Sequence, residues 1–206
     1  LGVYDMNDSL LDKHQEEELC LILRKYINQY NIVIAADYGH GLITQKAVKI
    51  LEKETKYFAL NTQLNSFNLG YHTLSKFNQV KYLCIQEGEL RHDYRNRTDT
   101  IEKLVIDLSN RINTKVIVIT KGDKGSVGFM YNNFTSCPAF ANKVVDRVGA
   151  GDTLFAVTSL CFVARIPMDL TLFIGNLAAA EMVGSIGTKI KLNKIDLLKT
   201  IESLLK

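Results

Sequence analysis

Short apolar runs rich in branched side chains alternate along this chain with longer segments of helical periodicity. The clearest run is KVIVIT at 115–120, and similar runs occupy 31–36, 57–60 and 81–85. An unbroken apolar run of this length is typical of a strand that is buried on both faces. Strands that alternate with helices indicate an α/β fold, with a mostly parallel central sheet and right-handed connections.

Helical periodicity accounts for most of the remaining chain. In the segment 99–112, for example, the apolar residues Ile101, Leu104 and Leu108 fall on one face of a helix. The spacing of Leu19, Ile22, Leu23 and Tyr26 in the segment 12–30 is also helical. The predicted helices are 12–30, 44–56, 99–112, 151–165, 169–184 and a last one that begins near Asn193.

Nothing in the sequence divides it into separate domains. Two antiparallel strands are predicted around 127–131 and 135–140, and the segment 61–79 is polar and irregular. The sequence contains no internal repeat, low-complexity tract or linker. A chain of 206 residues is long enough for one well-buried domain, so residues 1–206 are interpreted as a single domain.

Composition and charge exclude several classes of protein. With 47% hydrophobic and 23% charged residues, the sequence has the profile of a folded globular domain. A net charge of +3 without a block of Lys and Arg does not indicate nucleic-acid binding. The longest apolar stretch, 154–164, is too short to cross a bilayer, so no membrane association is expected. The four cysteines lack CxxC spacing, which indicates reduced, buried thiols in a cytoplasmic protein and no zinc site.

The stretch VVDRVGAGDTLFA at 144–156 places a turn without bulky side chains directly before a predicted helix. The first N–H groups of a helix have no partner within the helix, and glycine lets a ligand approach that backbone closely. The helix dipole adds positive potential at the same point. The turn therefore suits phosphate or another oxyanion.

Asp152 follows this turn directly. A site that only binds phosphate gains nothing from a carboxylate there, whereas a phosphoryl-transfer enzyme does gain, because the acid can orient an acceptor hydroxyl and accept its proton. The nearby N–H groups would hold the developing negative charge. The alternative is structural: Asp152 caps the helix and the glycines only turn the chain. Spacing alone leaves both interpretations open.

The stretch DRVGAGD at 146–152 closely resembles the signature D-T-x-G-A-G-D of the ribokinase-type (PfkB) carbohydrate kinases. Arg147 stands where the family usually has threonine. The residues that match the signature are Asp146, Gly149, Ala150, Gly151 and Asp152. The resemblance implies that Asp152 is the catalytic base and that the backbone of Gly149–Gly151 forms the anion hole. It also implies ATP and Mg2+ as cofactors and a sugar or sugar phosphate as the substrate.

A second segment is similar to a family motif that binds the nucleotide. VIVITKGDKGSVGF at 116–129 is similar to the family's strand followed by T-x-G-x-x-G. The resemblance implies that Thr120 and Gly122 lie beside the nucleotide phosphates and that Gly125 makes the turn into the next strand. Taken alone, such a turn is also typical of a plain entry into a hairpin.

A third segment, GNLAAAEMVGSIGT at 175–188, is similar to the small-residue helix that closes over adenine in this family. The resemblance implies that Asn176 contacts the adenosine. An alanine-rich helix that only packs against its neighbours has the same composition, and the two roles are compatible with each other.

ADYGHGLIT at 36–44 resembles the D-Y-x-K-G segment of the heptose-phosphate kinases that serve ADP-heptose synthesis, with His40 where lysine is common. The resemblance implies Asp37 as a substrate residue and weakly favours a heptose phosphate as the substrate, while His40 taken alone is typical of a solvated loop. The segment LNTQLNSFNLGYH at 60–72 is dense in amides and matches no general motif. Its donors and acceptors suit a sugar or a nucleotide, and Asn61 is taken as a second candidate substrate residue, although turns also use asparagine.

CIQEGELR at 84–91 occupies the position of the family's N-x-x-E, whose glutamate helps to organise magnesium. Gln86 replaces the asparagine and Glu89 keeps the acid, which implies Glu89 as the metal residue. Glu87 is the competing candidate, and both acids could instead be solvated. Magnesium is held by few carboxylates and mostly through water and phosphate oxygens, so a sparse set of acids is compatible with it.

The resemblance covers nearly all of the chain but only the later part of the family fold. We therefore expect a ribokinase-like three-layer α/β/α sandwich in which the N-terminal part and the β lid are missing. Such a truncation is expected to expose an edge strand and apolar surface, which predicts a homodimer or contact with other domains of a longer polypeptide. The alternative function is a non-catalytic module that binds a nucleotide or nucleotide sugar, and it is suggested by the missing lid, by Arg147 and by Gln86.

Overall fold

Six strands form one sheet in the order in which they occur along the chain. The computed structural model describes residues 9–64, 74–141, 144–184 and 192–204. Its strands are β1 Val33–Asp37, β2 Phe58–Thr62, β3 Tyr82–Gln86, β4 Val116–Thr120, β5 Ser126–Met130 and β6 Asn133–Cys137. β1 to β4 are parallel, and β5 and β6 continue the sheet as antiparallel strands. The predicted α/β fold with a mostly parallel central sheet is therefore confirmed.

Seven helices accompany the sheet in the described residues. They are α1 Lys13–Tyr26, α2 Gln45–Glu54, α3 Glu87–Asp93, α4 Ile101–Arg111, α5 Ala150–Val163, α6 Met168–Val183 and α7 Lys194–Leu204. All but α3 lie in segments that the sequence predicts to be helical. α3 has only 7 residues, which is too short for a periodic pattern to be recognised. In the described part of the chain, no helix has both the length and the apolar character that crossing a membrane requires.

The helices cover both faces of the sheet. Because successive parallel strands are added in one direction, right-handed connections bring α2, α3 and α4 to the same face. α5 and α6 follow β6 in the chain and cover the opposite face. In β4, Ile117 and Ile119 are buried in the first layer, whereas Val116 and Val118 are buried in the second. The unbroken apolar run of β4 is explained, since both of its faces are covered.

α5 is fixed on the sheet through the buried side chain of Tyr82 in β3. The Tyr82 hydroxyl lies 2.7 Å from Oγ1 of Thr158 in α5. Its ring packs against Phe155 and Phe162, with centroid distances of 5.8 and 4.7 Å. α6 approaches α5 closely at Gly175, where an added Cβ would lie 2.5 Å from the Thr158 methyl carbon. These contacts determine where the first turn of α5 lies relative to the strands.

The four cysteines are free thiols, and Cys20, Cys84 and Cys137 are buried. Burial raises the pKa of the Cys84 thiol to about 12. A thiol with this pKa stays protonated and behaves as a small apolar group. The prediction of buried thiols is confirmed for these three, and Cys161 is partly buried.

β1 is an edge strand with one exposed face. Among the described residues it pairs only with β2. Ala35 and Asp37 are buried on the covered face, whereas Ile34 on the other face is 41% exposed and Ala36 is also exposed. The structure thus has the exposed edge and apolar surface that the sequence predicts.

We expect the chain to self-associate through this edge and the substitution Ile34→Lys to increase the fraction of monomer. A charged side chain on an edge strand opposes pairing with another strand and removes the exposed apolar group. Light scattering over a range of concentrations measures the effect. Leu21→Lys is the matched control, because Leu21 is also exposed but lies on α1. A wild-type chain that stays monomeric at every concentration would contradict the prediction.

Candidate active site

A cleft of about 710 Å³ lies at the carboxyl edge of the parallel strands. In open α/β sheets, ligands bind in the crevice outside this edge. Residues from the ends of several strands meet the first turn of α5 there. They include Tyr38, Asn61, Gln63, Gln86, Glu89, Thr120 and Gly122 from the sheet side and Arg147 and Gly149–Asp152 from the α5 side.

The turn before α5 presents bare backbone to the cleft. Gly149 has φ +80°, a left-handed conformation that favours glycine. The N–H groups of Gly151 and Asp152 have no hydrogen-bond partner among the described residues, whereas the N–H of Thr153 donates to the Gly149 carbonyl at 2.9 Å. A Cβ added to Gly151 would meet no atom within 4 Å. The first turn of α5 is therefore an open cradle with two unused donors.

Asp152 is exposed at this cradle and bonds to a different element of the fold. Its Oδ1 accepts a hydrogen bond of 2.6 Å from Nε2 of Gln63, which directly follows β2. Among the described residues, the Asp152 side chain makes no bond to its own helix. The geometry therefore gives no support to the alternative in which Asp152 acts only as a helix cap.

Tyr38, at the end of β1, completes a chain of polar side chains with Gln63 and Asp152. Burial raises the pKa of the Tyr38 hydroxyl, the negative charge of Asp152 raises it further, and a hydrogen bond with the Gln63 side chain acts in the opposite direction. Tyr38 is 41% exposed and lines the cleft. The phenol, the amide and the carboxylate thus come from three elements and meet at one point.

Glu89 lines the cleft at the start of α3, where it forms a reciprocal cap with Gln86. Glu89 Oε2 accepts from the Gln86 N–H at 2.9 Å, and Glu89 Oε1 accepts from the Leu64 N–H at 3.0 Å. Burial raises the pKa of the Glu89 carboxyl, the two backbone donors lower it, and the charge of Asp152 raises it. The competing candidate, Glu87, bonds to Arg91 at 2.9 Å and does not line the cleft.

Of the two candidate substrate residues, Asn61 reaches the cleft. Its Nδ2 donates to the Cys84 carbonyl at 2.9 Å, and its buried Oδ1 has no partner among the described residues. Asp37 is 3% exposed, forms an ion pair with Lys76 and accepts from the Gly39 N–H at 3.0 Å. Asp37 is not among the residues that line the cleft.

The residues predicted to bind the nucleotide all line the cleft. Thr120 ends β4, and Gly122 has φ +61° with no atom within 4 Å of an added Cβ. Gly125 also has positive φ, and a Cβ there would lie 2.1 Å from the Cys137 carbonyl oxygen, so it makes the turn into β5 as predicted. Asn176 is buried, and its Nδ2 donates to Ser126 Oγ at 2.6 Å and to the Leu172 carbonyl at 2.8 Å.

Sequence analysis considered Gln63 only as one of several amides that could contribute to the sugar or nucleotide site, assigned no role to Tyr38, and treated Arg147 only as a departure from a signature. Gln63 belongs to the amide-rich segment 60–72, and its place directly after a strand could have indicated the cleft edge. Asn65 and Asn68, from the same segment, lie outside the described residues. His40 is described but does not line the cleft.

Comparison with known proteins agrees with this geometry. The profile described as pfkB family carbohydrate kinase matches residues 3–195. Among curated proteins, the chain is similar to the Bifunctional protein HldE of Campylobacter jejuni subsp. doylei, with 28% identity over 198 residues. The similarity covers 91% of this chain and 42% of that protein. The chain therefore spans less than half the length of this relative.

Solved structures resemble the fold at lower identity. Phosphofructokinase-2 from Escherichia coli superposes with a TM-score of 0.77 at 15% identity, over 96% of this chain and 64% of the other. Arabidopsis thaliana ribokinase, solved with ribose and ATP, gives a TM-score of 0.67 at 19% identity, over 92% and 59%. These likenesses show the ribokinase-like fold, and this chain corresponds to less than two thirds of each neighbour.

We expect Gly151→Ala and Gly125→Ala to change stability in opposite directions. A Cβ at Gly151 meets nothing, and alanine stabilises a helix relative to glycine by up to about 1 kcal/mol. At Gly125 the close approach to the Cys137 carbonyl and the positive φ should make the substitution destabilising by roughly 1–3 kcal/mol. Chemical denaturation measures both values. A similar loss of stability at both positions would contradict the assignment of Gly151 as a residue that faces open space.

Proposed function

Since the chain belongs to the pfkB family of carbohydrate kinases, we propose that the protein transfers the γ-phosphoryl group of ATP to a hydroxyl group of a sugar or sugar phosphate. The observation that carries the proposal is an exposed carboxylate beside a bare-backbone turn in one cleft. Asp152 supplies the carboxylate, and the first turn of α5 supplies N–H donors without partners among the described residues. Phosphoryl transfer needs both at the same point, a base for the acceptor and donors for the developing charge.

Asp152 is the proposed catalytic base. As the acceptor oxygen forms its bond to the γ-phosphorus, the bond from that phosphorus to the β–γ bridging oxygen breaks and ADP leaves. The proton of the acceptor hydroxyl passes to the Asp152 carboxylate, so that charge and atoms balance. An ordinary carboxylate suffices for this step, because the proton moves late, as the new bond forms.

The backbone of Gly149, Ala150 and Gly151 is the proposed anion hole for the transferred group. Its support is the open space at Gly151 and the positive end of the α5 dipole. Arg147 lines the same cleft and adds a full positive charge beside the turn. A guanidinium brings a positive charge and several N–H donors to phosphate oxygens, whereas the usual threonine offers one neutral hydroxyl.

Thr120 and Gly122 are the proposed contacts to the nucleotide phosphates, and Asn176 is the proposed contact to adenosine. The open space at Gly122 leaves room for a phosphate close to the backbone. Asn176 is fixed by Ser126 and Leu172 where α6 meets β5, so it provides a rigid polar group at the wall of the cleft.

Glu89 is the proposed magnesium residue, and its carboxylate lines the cleft. Bound Mg2+ would neutralise charge on the nucleotide phosphates and orient them. No cluster of three or more His, Cys, Asp or Glu side chains occurs in the described ranges. One carboxylate nevertheless fits this ion, which keeps several water molecules and is usually bound through one or two carboxylates together with substrate phosphates.

A heptose phosphate is the acceptor that we propose as the finer assignment. It is supported by the resemblance in 36–44 and by the similarity to Bifunctional protein HldE. Asn61 offers an unpaired acceptor to a sugar hydroxyl. Asp37 stays a proposed substrate residue, and in the described structure its carboxylate is engaged by Lys76 and holds the turn that follows Tyr38.

A coupled assay of ADP release over a panel of sugars and sugar phosphates separates this function from the alternative of a non-catalytic binding module. The kinase is supported by ADP release that depends on one acceptor. The binding module is supported if ATP binds and no acceptor on the panel stimulates ADP release.

We expect Asp152→Asn in the full-length protein to lower kcat by about 10²- to 10⁴-fold, the usual contribution of a general base. ATP affinity, measured by calorimetry without acceptor, should stay nearly unchanged, because the N–H donors of the turn are retained. Asp107→Asn is the matched control, since Asp107 is exposed on α4. Wild-type turnover in Asp152→Asn would overturn the assignment of the base.

A further inference from the structure

We propose that Gln63 is a positioning residue, whose side-chain amide holds one oxygen of the Asp152 carboxylate so that the other oxygen faces the acceptor hydroxyl. This inference rests on the function proposed above. It concerns a residue that lies 89 positions away from Asp152 in the sequence.

The direction of the hydrogen bond follows from the chemistry of the two groups. An ionised carboxylate only accepts hydrogen bonds, so the nitrogen of the Gln63 amide must face it. Hydrogen bonds to an ionised group are shorter and stronger than those between neutral groups, and the distance of 2.6 Å agrees with this. Because this is the only bond of the Asp152 side chain among the described residues, it selects the rotamer of the carboxylate.

The backbone of Gln63 is itself fixed from two sides. Its N–H donates to the carbonyl of Asp37 at 3.0 Å, which extends the pairing of β1 and β2 by one residue. The next N–H, that of Leu64, donates to the carboxylate of Glu89 at 3.0 Å. A side chain that starts from a backbone held in this way can keep a reacting group within the narrow range of productive geometries.

Tyr38 restrains the other end of this arrangement. Tyr38 and Gln63 line the same cleft, and hydrogen bonding to the Gln63 side chain lowers the pKa of the Tyr38 hydroxyl, whereas burial and the charge of Asp152 raise it. In this arrangement Asp152 is the base, Gln63 is the neighbour that orients it, and Tyr38 is the third group, which orients Gln63. A neutral amide suits the role, because it restrains the carboxylate without adding a positive charge beside the base.

The test uses kinetics of the full-length protein with the variants Gln63→Leu and Gln63→Asn. We expect kcat to fall by roughly 10- to 100-fold in both, because a small misplacement of a reacting group has effects of this size. Asparagine keeps the amide but is too short to reach Asp152. The KM for ATP should stay within about twofold, since nucleotide binding does not involve the amide. Gln29→Leu is the matched control, because Gln29 is exposed and bonds to the Lys25 carbonyl far from the cleft.

A double-mutant cycle separates positioning from a general structural effect. In the Asp152→Asn background, Gln63→Leu should cause no further fall in kcat, because its effect acts through the carboxylate. Tyr38→Phe should lower kcat by a smaller factor than Gln63→Leu and should have no effect once Gln63 is leucine. Thermal unfolding of each variant verifies that it is folded.

The outcomes distinguish this inference from the function on which it rests. If Asp152→Asn lowers turnover and Gln63→Leu turns over as the wild type does, the positioning role is wrong and the base assignment stands. Additive losses in the double variant would also overturn the positioning role. Wild-type turnover in Asp152→Asn, by contrast, would overturn the proposed base itself.

Discussion

The position of α5 on the sheet is the constraint on which the cleft depends. Tyr82 ties α5 to the middle of the sheet through Thr158 and through ring contacts, and α6 can approach only because Gly175 has no side chain. With α5 held there, its first turn opens over the carboxyl ends of the parallel strands. The bare backbone at Gly151 and the carboxylate of Asp152 reach the cleft for this reason. The contacts of Tyr82 with the middle and end of α5 therefore position the helix that carries Asp152 in its first turn, and loss of these contacts would displace Asp152.

The charges that line the cleft explain why backbone donors matter. Glu89, Asp123 and Asp152 carry carboxylates, and Arg147 is the single cationic side chain among the described lining residues. A nucleotide triphosphate would bring further negative charge into this environment. The attraction must therefore come from unpaired N–H groups, the α5 dipole, Arg147 and a divalent cation. Two of the acids already bond to donors of the protein, Glu89 to backbone N–H groups and Asp152 to Gln63. These bonds stabilise the negative charges of Glu89 and Asp152, which a bound nucleotide triphosphate would otherwise repel.

Contiguous patterns allowed most of the fold and the core of the candidate site to be predicted. The strands are unbroken apolar runs, and the turn and the acid at Asp152 lie within seven residues of one another in the chain. Contacts between segments that are distant in the sequence could not be predicted from such patterns. The bond from Gln63 to Asp152 joins β2 to α5, and no local pattern shows which polar side chain after a strand turns toward a helix 89 residues later. The ion pair of Asp37 with Lys76 is of the same kind, since composition does not show which acid a lysine neutralises in the interior.

The exposed edge of the sheet and the cleft are physically connected through β1. The carbonyl of Asp37, the last residue of β1, accepts the N–H of Gln63, and Tyr38 comes directly after it. The side of β1 that faces away from β2 has no partner among the described residues. A strand that paired there would restrain the end of β1, and through it the phenol and the amide that hold Asp152. A strand paired there would therefore act on the geometry of the proposed base without touching it, because ordering a group in advance lowers the entropy that the reaction must otherwise remove. β1 and β6 are the two edges of the sheet in the described residues, and β1 is the edge whose end carries Tyr38 and the carbonyl that accepts the N–H of Gln63.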